Sequence, residues 1–384
     1  MEIVSYNNCA DLDALGDTWD YLSEKELTFV PSFSELKYQL ETGGHQFRLL
    51  VAIDKSQIVS IVCFIYNENA IRGYQLAAKK LFDLPVKEVS LFGSCVLGQP
   101  SENAIQKFFR LIIEASGFDV INIGQVHIGS PLYNAITSLH HGVIAWRERK
   151  ERLWWLIRLP GTFDEYIASL RATTRTAISK AHRKLEREAP KFHVMQFPNE
   201  VENFLQDAEN ISRLSYQWNL GYGLCNDEST RRQFMRLAKN GALRCYIVYL
   251  RGKPCAFSWG ELSHRKFVWH MTGYDPQYRK LSPGTTLLMW MIRDLIENTN
   301  CEVCDFKWGE KEGYKSRFAT ISLSCTRMQV AQIYRPYSLL IVVLDQMLNF
   351  SKNFVEKLLY AIFGHGALRQ RLRSAMHRYG IATY

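Results

Sequence analysis

From Gly273 to Thr286 the chain reads Gly-Tyr-Asp-Pro-Gln-Tyr-Arg-Lys-Leu-Ser-Pro-Gly-Thr-Thr. Ser282 is a preferred N-cap residue and Pro283 suits the first helical position. Gly284 removes a side chain where a ligand would approach. The unbonded N–H groups of such a first turn carry partial positive charge, and Arg279 and Lys280 stand just before it. This is a site for an anion, with an ordinary helix cap as the plainer alternative. The GxxxxGK[ST] of a nucleotide-binding loop and the GxGxxG of a dinucleotide fold are both missing from the stretch.

A second stretch, Asp305-Phe-Lys-Trp-Gly-Glu-Lys-Glu-Gly-Tyr-Lys-Ser-Arg-Phe318, brings a carboxylate, the Tyr314 phenol and the Lys315 amine together. Those groups can donate and accept protons; solvated charges at a strand exit are the alternative. His270 and Asp275 fit the H-x4-D spacing of glycerolipid acyltransferases, a spacing that ten histidines in 384 residues also produce by chance. The close cysteine pair, Cys301 and Cys304, falls in an expected strand, where such spacing points the thiols to opposite faces. No second CxxC and no HExxH accompany it, so no metal site is expected.

The elements that hold these residues form a faint internal repeat. Phe47–Ile53, a turn, and Ile58–Ile65 read as strand, tight turn, strand; Arg244–Leu250, a turn, and Cys255–Leu262 read the same way. Strand, helix and strand then follow each copy. These are Lys87–Val96, Ser101–Ser116 and Asp119–Gly124 in the first, and Lys266–Tyr274, Pro283–Asn298 and Glu302–Lys307 in the second. Ile105, Phe108, Phe109 and Ile112 mark the core face of one helix; Leu287, Leu288, Met291, Ile292 and Leu295 mark the other. Aligning the final strands sets Glu102 opposite Thr285, and Val96 and Leu97 opposite Arg279 and Lys280. A carboxylate there repels an anion, so only the second copy is expected to bind one.

Between the copies, Arg152–Leu159 reads as a strand, and Thr162-Phe-Asp-Glu165 as a capping box opening a helix. In the helical segment Thr173–Ala189, Lys180, Arg183, Lys184 and Arg187 share one face, opposite Ala177, Ile178, Ala181 and Leu185. The basic face is read as a solvated surface. Arg171 and Arg175 flank the apolar stripe; Arg175 would meet either a substrate phosphate or a structural carboxylate.

A chain of 384 residues exceeds what one core usually supports, and 47% hydrophobic with 22% charged residues excludes disordered and collagen-like classes. The divisions expected are 1–150, 151–335 and a helical basic tail, 336–384. The net charge of +9 is concentrated. Arg171–Lys191 holds seven basic and two acidic residues, His365 onward holds four arginines and no acids, and the rest balances at 36 against 36. Two patches argue against a protein-wide nucleic-acid surface, so nucleic acid is not the expected partner. Nine scattered cysteines, no apolar run of spanning length and no secretory start lead to the expectation of a cytoplasmic protein. In the tail, Phe354, Val355, Leu358, Leu359, Ile362 and Phe363 form one apolar stripe. Leu368, Leu372, Met376 and Tyr379 form a second, flanked by Arg369, Arg371, Arg373 and Arg378. Such helices either pack on the domain or lie on anionic membrane at its inner face.

From about Trp154 to Phe318 the sequence resembles the cellulose-biosynthesis-type (CelD-like) branch of the GNAT acyltransferase superfamily. The residues that carry the likeness are Leu159-Pro160, Ser169-Leu170 with Thr174-Arg175, Gly273-Tyr-Asp-Pro, Tyr278-Arg-Lys-Leu-Ser-Pro-Gly284, Asp305-Phe306 with Gly309, and Tyr314-Lys315. Lys307 departs from it, since a small residue or glycine is usual after Asp-Phe. The resemblance implies an α/β, mixed-sheet GNAT fold in two tandem GNAT-like domains, FemAB-like in architecture, with a degenerate N-terminal copy. It implies acyl-CoA as co-substrate, with the pyrophosphate held by Arg279, Lys280, Ser282, Gly284, Thr285 and Thr286. The acceptor implied is an amino or hydroxyl group of a bacterial surface polysaccharide or its sugar precursor. With no enzyme nucleophile required, Asp305 or His270 is expected as base, Tyr314 as acid, and Lys315 and Arg175 as groups orienting an anionic acceptor. A non-catalytic scaffold of a polysaccharide synthase and a FemAB-like aminoacyl-tRNA-dependent transferase are the alternatives.

Overall fold

The computed structural model describes residues 1–363 other than 77–78, 95, 116, 140–141, 148–150, 216–217 and 219–222. The chain divides into two compact units. One comprises Met1–Glu26, Pro31–Arg152 and Ser324–Tyr384; the other comprises Leu27–Val30 and Leu153–Leu323.

The first unit contains β1 (Glu2–Tyr6), α1 (Gly16–Lys25), α2 (Phe33–Thr42), β2 (Gln46–Asp54), β3 (Gln57–Leu76) and β4 (Lys79–Leu91). It continues with β5 (Leu97–Gly98), α3 (Glu102–Ala115), β6 (Val120–His127), α4 (Pro131–Thr137) and β7 (Val143–Arg147). The second unit contains β8 (Arg152–Arg158), α5 (Phe163–Ser169), α6 (Ala172–Glu186), β9 (Lys191–Met195), α7 (Val201–Leu214) and α8 (Glu228–Lys239). It is completed by β10 (Leu243–Leu250), β11 (Lys253–Ser263), β12 (Lys266–Tyr274), α9 (Pro283–Glu297), β13 (Val303–Gly309) and α10 (Lys315–Phe318). The chain then returns to the first unit through β14 (Ile321–Gln332) and α11 (Pro336–Phe363).

The two halves of the repeat share a strand order. In the first unit it is β1-β2-β3-β4-β6-β14, antiparallel except for the parallel pair β4 and β6. In the second it is β9-β10-β11-β12-β13-β8, with β12 and β13 the parallel pair. Each parallel pair is bridged by a helix, as a parallel connection requires. The opening hairpins turn through residues of positive φ, Lys55 and Ser56 in one copy, Arg251 and Gly252 in the other. Such turns match the twist of paired strands.

Each core is packed beneath its bridging helix. Ile105, Phe108, Phe109 and Ile112 of α3 are fully buried among Leu50, Phe64, Val89 and Ile121. Leu287, Met291, Ile292 and Leu295 of α9 are buried against Tyr246, Phe267 and Phe306. Burial of each such side chain stabilises the fold by roughly 1.5–3 kcal/mol. The Thr162–Glu165 capping box forms as read, with both reciprocal bonds present.

Two strand readings differ from the structure. The hairpin strand expected to end at Ile65 runs on to Leu76. The strand expected at Lys87–Val96 lies at Lys79–Leu91, because Phe92–Ser94 makes a 3-10 turn through Gly93 at φ 64°. In the first unit β14 pairs with β6 across some two hundred residues of sequence, from Cys325↔His127 to Val330↔Ile121, and also with β7, from Met328↔Arg147 to Gln332↔Val143. The start of α11 is held on the first unit by Asp345, which accepts from Arg72 at 2.7 Å and from Tyr74 at 3.2 Å. The second tail stripe, Leu368 to Tyr379 with its arginines, and the side chains of the first lie outside the described residues. Among the described residues no helix is long and apolar enough to cross a membrane.

Candidate active site

Strands β12 and β13 are paired only over Lys266–Val268 and Val303–Asp305. Beyond that the register of β13 on β8 shifts between Asp305 and Trp308, and Lys307 takes φ 59°. From Trp269 onward β12 therefore has β11 on one side and no strand on the other. Trp269, Thr272, Gly273 and Tyr274 line a cavity of about 1160 Å³ that lies entirely within the second unit.

The loop after β12 is tied down by Asp275. Its buried carboxylate accepts from the Gln277 amide at 2.9 Å and from the Gln277 side chain at 2.5 Å, opening the 3-10 turn Pro276–Leu281. That turn sets Arg279 at the cavity wall. Ser282 then adopts the left-handed conformation (φ 56°, ψ 47°), and its hydroxyl caps nothing. This corrects the expected N-cap, which needs extended backbone to aim the side chain at the first turn. Instead the Ser282 carbonyl accepts from Thr285 and Thr286 at 3.2 and 3.3 Å. Pro283 has no N–H and no acid stands in the first turn of α9. A Cβ on Gly284 would come no nearer than 3.7 Å to Tyr274, so the glycine borders open space. The positive end of α9 thus opens on the cavity without a side chain to neutralise it.

The ionisable side chains lining the cavity are Arg171, Arg279, Arg317, Tyr274 and Tyr314; among the described residues no carboxylate, histidine or cysteine lines it. An apolar wall is supplied by Ala177, Ile178 and Ala181 of α6 with Leu288 of α9. Part of the predicted apolar stripe of α6 therefore faces the cavity, while Leu185 of that stripe is fully buried in the core.

The residues expected to act together are divided. Arg279, Ser282, Gly284, Thr285 and Tyr314 line the cavity. Lys280 and Thr286 do not: the Lys280 carbonyl accepts from Lys184 Nζ at 3.2 Å, and Thr286 is buried behind the turn. Tyr314 is half exposed, with its ring edge-on to Trp269 at 6.0 Å.

Asp305 lies off the cavity at 1% exposure, accepting from the amides of Lys307 at 2.8 Å and Phe29 at 3.1 Å. Burial raises its pKa, against the pull of those two amides. His270 also lies off the cavity. It stacks on Trp259 at 4.4 Å, its Nδ1 is 2.9 Å from Lys307 Nζ, and its Nε2 is 3.6 Å from the Glu261 carboxylate. Asp275, its partner in the H-x4-D spacing, is engaged with Gln277 instead. Lys315 aims its amine at the carbonyls of Phe306 (2.5 Å) and Trp308 (3.0 Å). Burial, then the nearby Lys307 ammonium, lower its pKa to about 8.

Arg175 meets neither a carboxylate nor the cavity. Its guanidinium donates to the carbonyls of Leu170 (2.5 Å) and Ala168 (3.2 Å), satisfying the C-terminal end of α5. In its place the structure brings Arg171 and Arg317 to the cavity, neither of which sequence reasoning chose. For Arg171 the signal was its position on the flank of the α6 stripe; for Arg317 nothing distinguished it from neighbouring charges. Among the described residues no cluster of His, Cys, Asp or Glu could hold a metal ion, and the eight described cysteines are free thiols.

Residues 172–316 match the family model described as an acetyltransferase (GNAT) domain. The structure is similar to that of FemX at a TM-score of 0.61, with 11% identity over 88% of this chain and 99% of that one. It is also similar to the C-terminal domain of a putative lysylphosphatidylglycerol synthetase from Agrobacterium fabrum (TM-score 0.51, 9% identity, 87% and 96% covered). A third likeness is to a conserved protein of unknown function from Bacteroides thetaiotaomicron VPI-5482 (TM-score 0.50, 12% identity, 86% and 100% covered). No curated protein sequence matches the chain. Residues 172–316, which include the parted β12 and β13 and most of the cavity lining, thus match a GNAT-type acetyltransferase domain on a mixed-sheet fold.

Proposed function

We propose that the protein transfers an acyl group from coenzyme A to an amino or hydroxyl group of a surface-polysaccharide sugar or its precursor. The observation that carries the donor assignment is the start of α9. Its positive end, Arg279 and the open space at Gly284 share one cavity, with no carboxylate among its described lining residues. The donor set suits a diphosphate: backbone amides and a guanidinium, with no competing acid. Arg279, Ser282, Gly284 and Thr285 would hold that part of coenzyme A, and the apolar wall of Ala177, Ile178, Ala181 and Leu288 suits a thin aliphatic arm.

Coenzyme A, when bound, supplies a thioester open to direct attack by the acceptor. Two phenols, Tyr274 and Tyr314, line the cavity; Tyr314, next to Trp269, would return a proton to the departing sulfur. Asp305 and His270 act from behind the strands: Asp305 fixes the turn of β13 at Lys307, and His270 occupies the Lys307 amine. The acceptor assignment rests on the sequence resemblance. A scaffold without chemistry would release no thiol, so the assay is free coenzyme A formed from acetyl-CoA with amino sugars or nucleotide sugars. Release that depends on a sugar supports the proposal; no release with any pair removes it.

An aminoacyl donor is the second reading, favoured by Lys180, Arg183 and Arg187, exposed on the same helix whose other face lines the cavity. Transfer from aminoacyl-tRNA with silence on acetyl-CoA would select it.

A further inference from the structure

The cavity carries more positive charge than one diphosphate uses. Among the described residues, the side chains of Arg171, Arg279 and Arg317 make no hydrogen bond or ion pair with the protein. Several other arginines of the same unit are engaged: Arg265 with Glu302 at 2.6 Å, Arg251 with Glu188 at 2.6 Å, Arg175 with two carbonyls. Three unpaired guanidiniums around one cavity repel each other unless an anion sits among them. Arg279 belongs to the turn before α9. Arg171 stands instead at the N-cap of α6, and Arg317 lies in α10.

The start of α6 adds to this. It has no side-chain cap and no acid in its first turn, and Thr173 and Thr174 of that turn line the cavity. Two helix starts, those of α6 and α9, therefore open on one cavity, each with an unpaired arginine beside it. By contrast α2, α5 and α8 have side-chain caps and acids in their first turns.

We propose that Arg171 and Arg317, with the first turn of α6, form a second anion subsite that takes a phosphate ester. The proposal rests on the donor reading above for the first subsite, at Arg279 and α9. Two sources share the required chemistry: the 3′-phosphate of coenzyme A, or a phosphate carried by the acceptor, as in a nucleotide- or lipid-linked sugar.

Calorimetric titration of the full chain and of its Arg171→Ala/Arg317→Ala variant tests it. Both residues are exposed, so the variant keeps its core. If the subsite takes the 3′-phosphate, the variant weakens coenzyme A by about tenfold or more and leaves 3′-dephospho-coenzyme A unchanged. If it takes the acceptor's phosphate, inorganic phosphate binds the wild-type chain saturated with coenzyme A, fails to bind the saturated variant, and coenzyme A affinity is equal in both. Equal affinities of the two proteins for all three probes overturn the subsite. Failure of coenzyme A to bind wild type would sink the donor reading alone. Inorganic phosphate titrated into the ligand-free chains then decides the subsite: binding lost in the variant supports it, and binding unchanged or absent overturns it.

Discussion

Lys307 Nζ lies 2.9 Å from His270 Nδ1, at the point where β12 and β13 part. The imidazole accepts there, and its other nitrogen faces Glu261 at 3.6 Å. Burial lowers the pKa of His270, and the Lys307 ammonium adds to this while Glu261 opposes it. In the window from the lowered folded value up to the ordinary histidine value, the unfolded chain binds the extra proton. Stability therefore rises with pH there and is lost as the imidazole is forced to charge beside an ammonium. Chemical denaturation from pH 7 to about pH 5 should show the wild type losing more stability than His270→Asn. Parallel curves would mean that the pair does not titrate as described.

Lys315 gives a second pH signature, at the alkaline end. Its folded value of about 8 lies below the ordinary lysine value of 10.5. Between the two the unfolded chain again holds more protons, so stability attributable to Lys315 rises as pH rises through that window. Relative to Lys315→Met, the wild type should gain on the order of 3 kcal/mol from pH 8 to pH 10.5. A flat difference across the window would place the amine in water.

Asp305 and Tyr314 should separate stability from turnover. Asp305→Asn puts an amide donor against the N–H of Lys307 or Phe29. The cost is about 1–3 kcal/mol of folding stability. Tyr314→Phe removes a half-exposed hydroxyl at the cavity, changing stability by less than about 0.5 kcal/mol. Its turnover should fall by about 10²–10⁴-fold if the phenol is the acid. Denaturant midpoints and thiol-release rates on the same preparations check both. Equal turnover for Tyr314→Phe would remove the acid.

The two bridging helices begin differently, and that difference is measurable. Ser101 caps α3 by accepting from the Ala104 amide at 3.3 Å, and Glu102 accepts from Asn134 at 2.9 Å. Ser282 caps nothing. Ser101→Ala should cost about 1 kcal/mol of stability. Ser282→Gly should raise stability by a few tenths to about 1 kcal/mol, since glycine accepts positive φ without strain. A loss at Ser282 equal to that at Ser101 would show a working cap there.

Much of this arrangement is legible in residue order. The hairpins that turn at Asp54–Gln57 and Arg251–Pro254, the two amphipathic helices and the helix start at Pro283 follow from local periodicity and turn chemistry. What is not legible depends on distant partners. That β14 joins β6 is decided by a pairing some two hundred residues apart, for which a single strand pattern carries no address. Arg175 and Arg171 sit on the same flank of a helical wheel; only the position of the α5 carbonyls sends one inward and leaves the other to the cavity. Lys315 follows Tyr314 directly, yet the two side chains separate, one to the cavity and one to the carbonyls of β13.

The donor assignment is tested most directly by titrating coenzyme A into the wild-type chain, Gly284→Ala and Gly284→Glu. A Cβ at Gly284 meets only Tyr274, at an ordinary 3.7 Å, so both variants keep the fold. One site per chain is expected in the wild type, retained with Glu102→Ala and abolished by the carboxylate of Gly284→Glu, with Gly284→Ala weakened far less. Binding of coenzyme A that survives Gly284→Glu, or two equivalent sites per chain, would contradict the account.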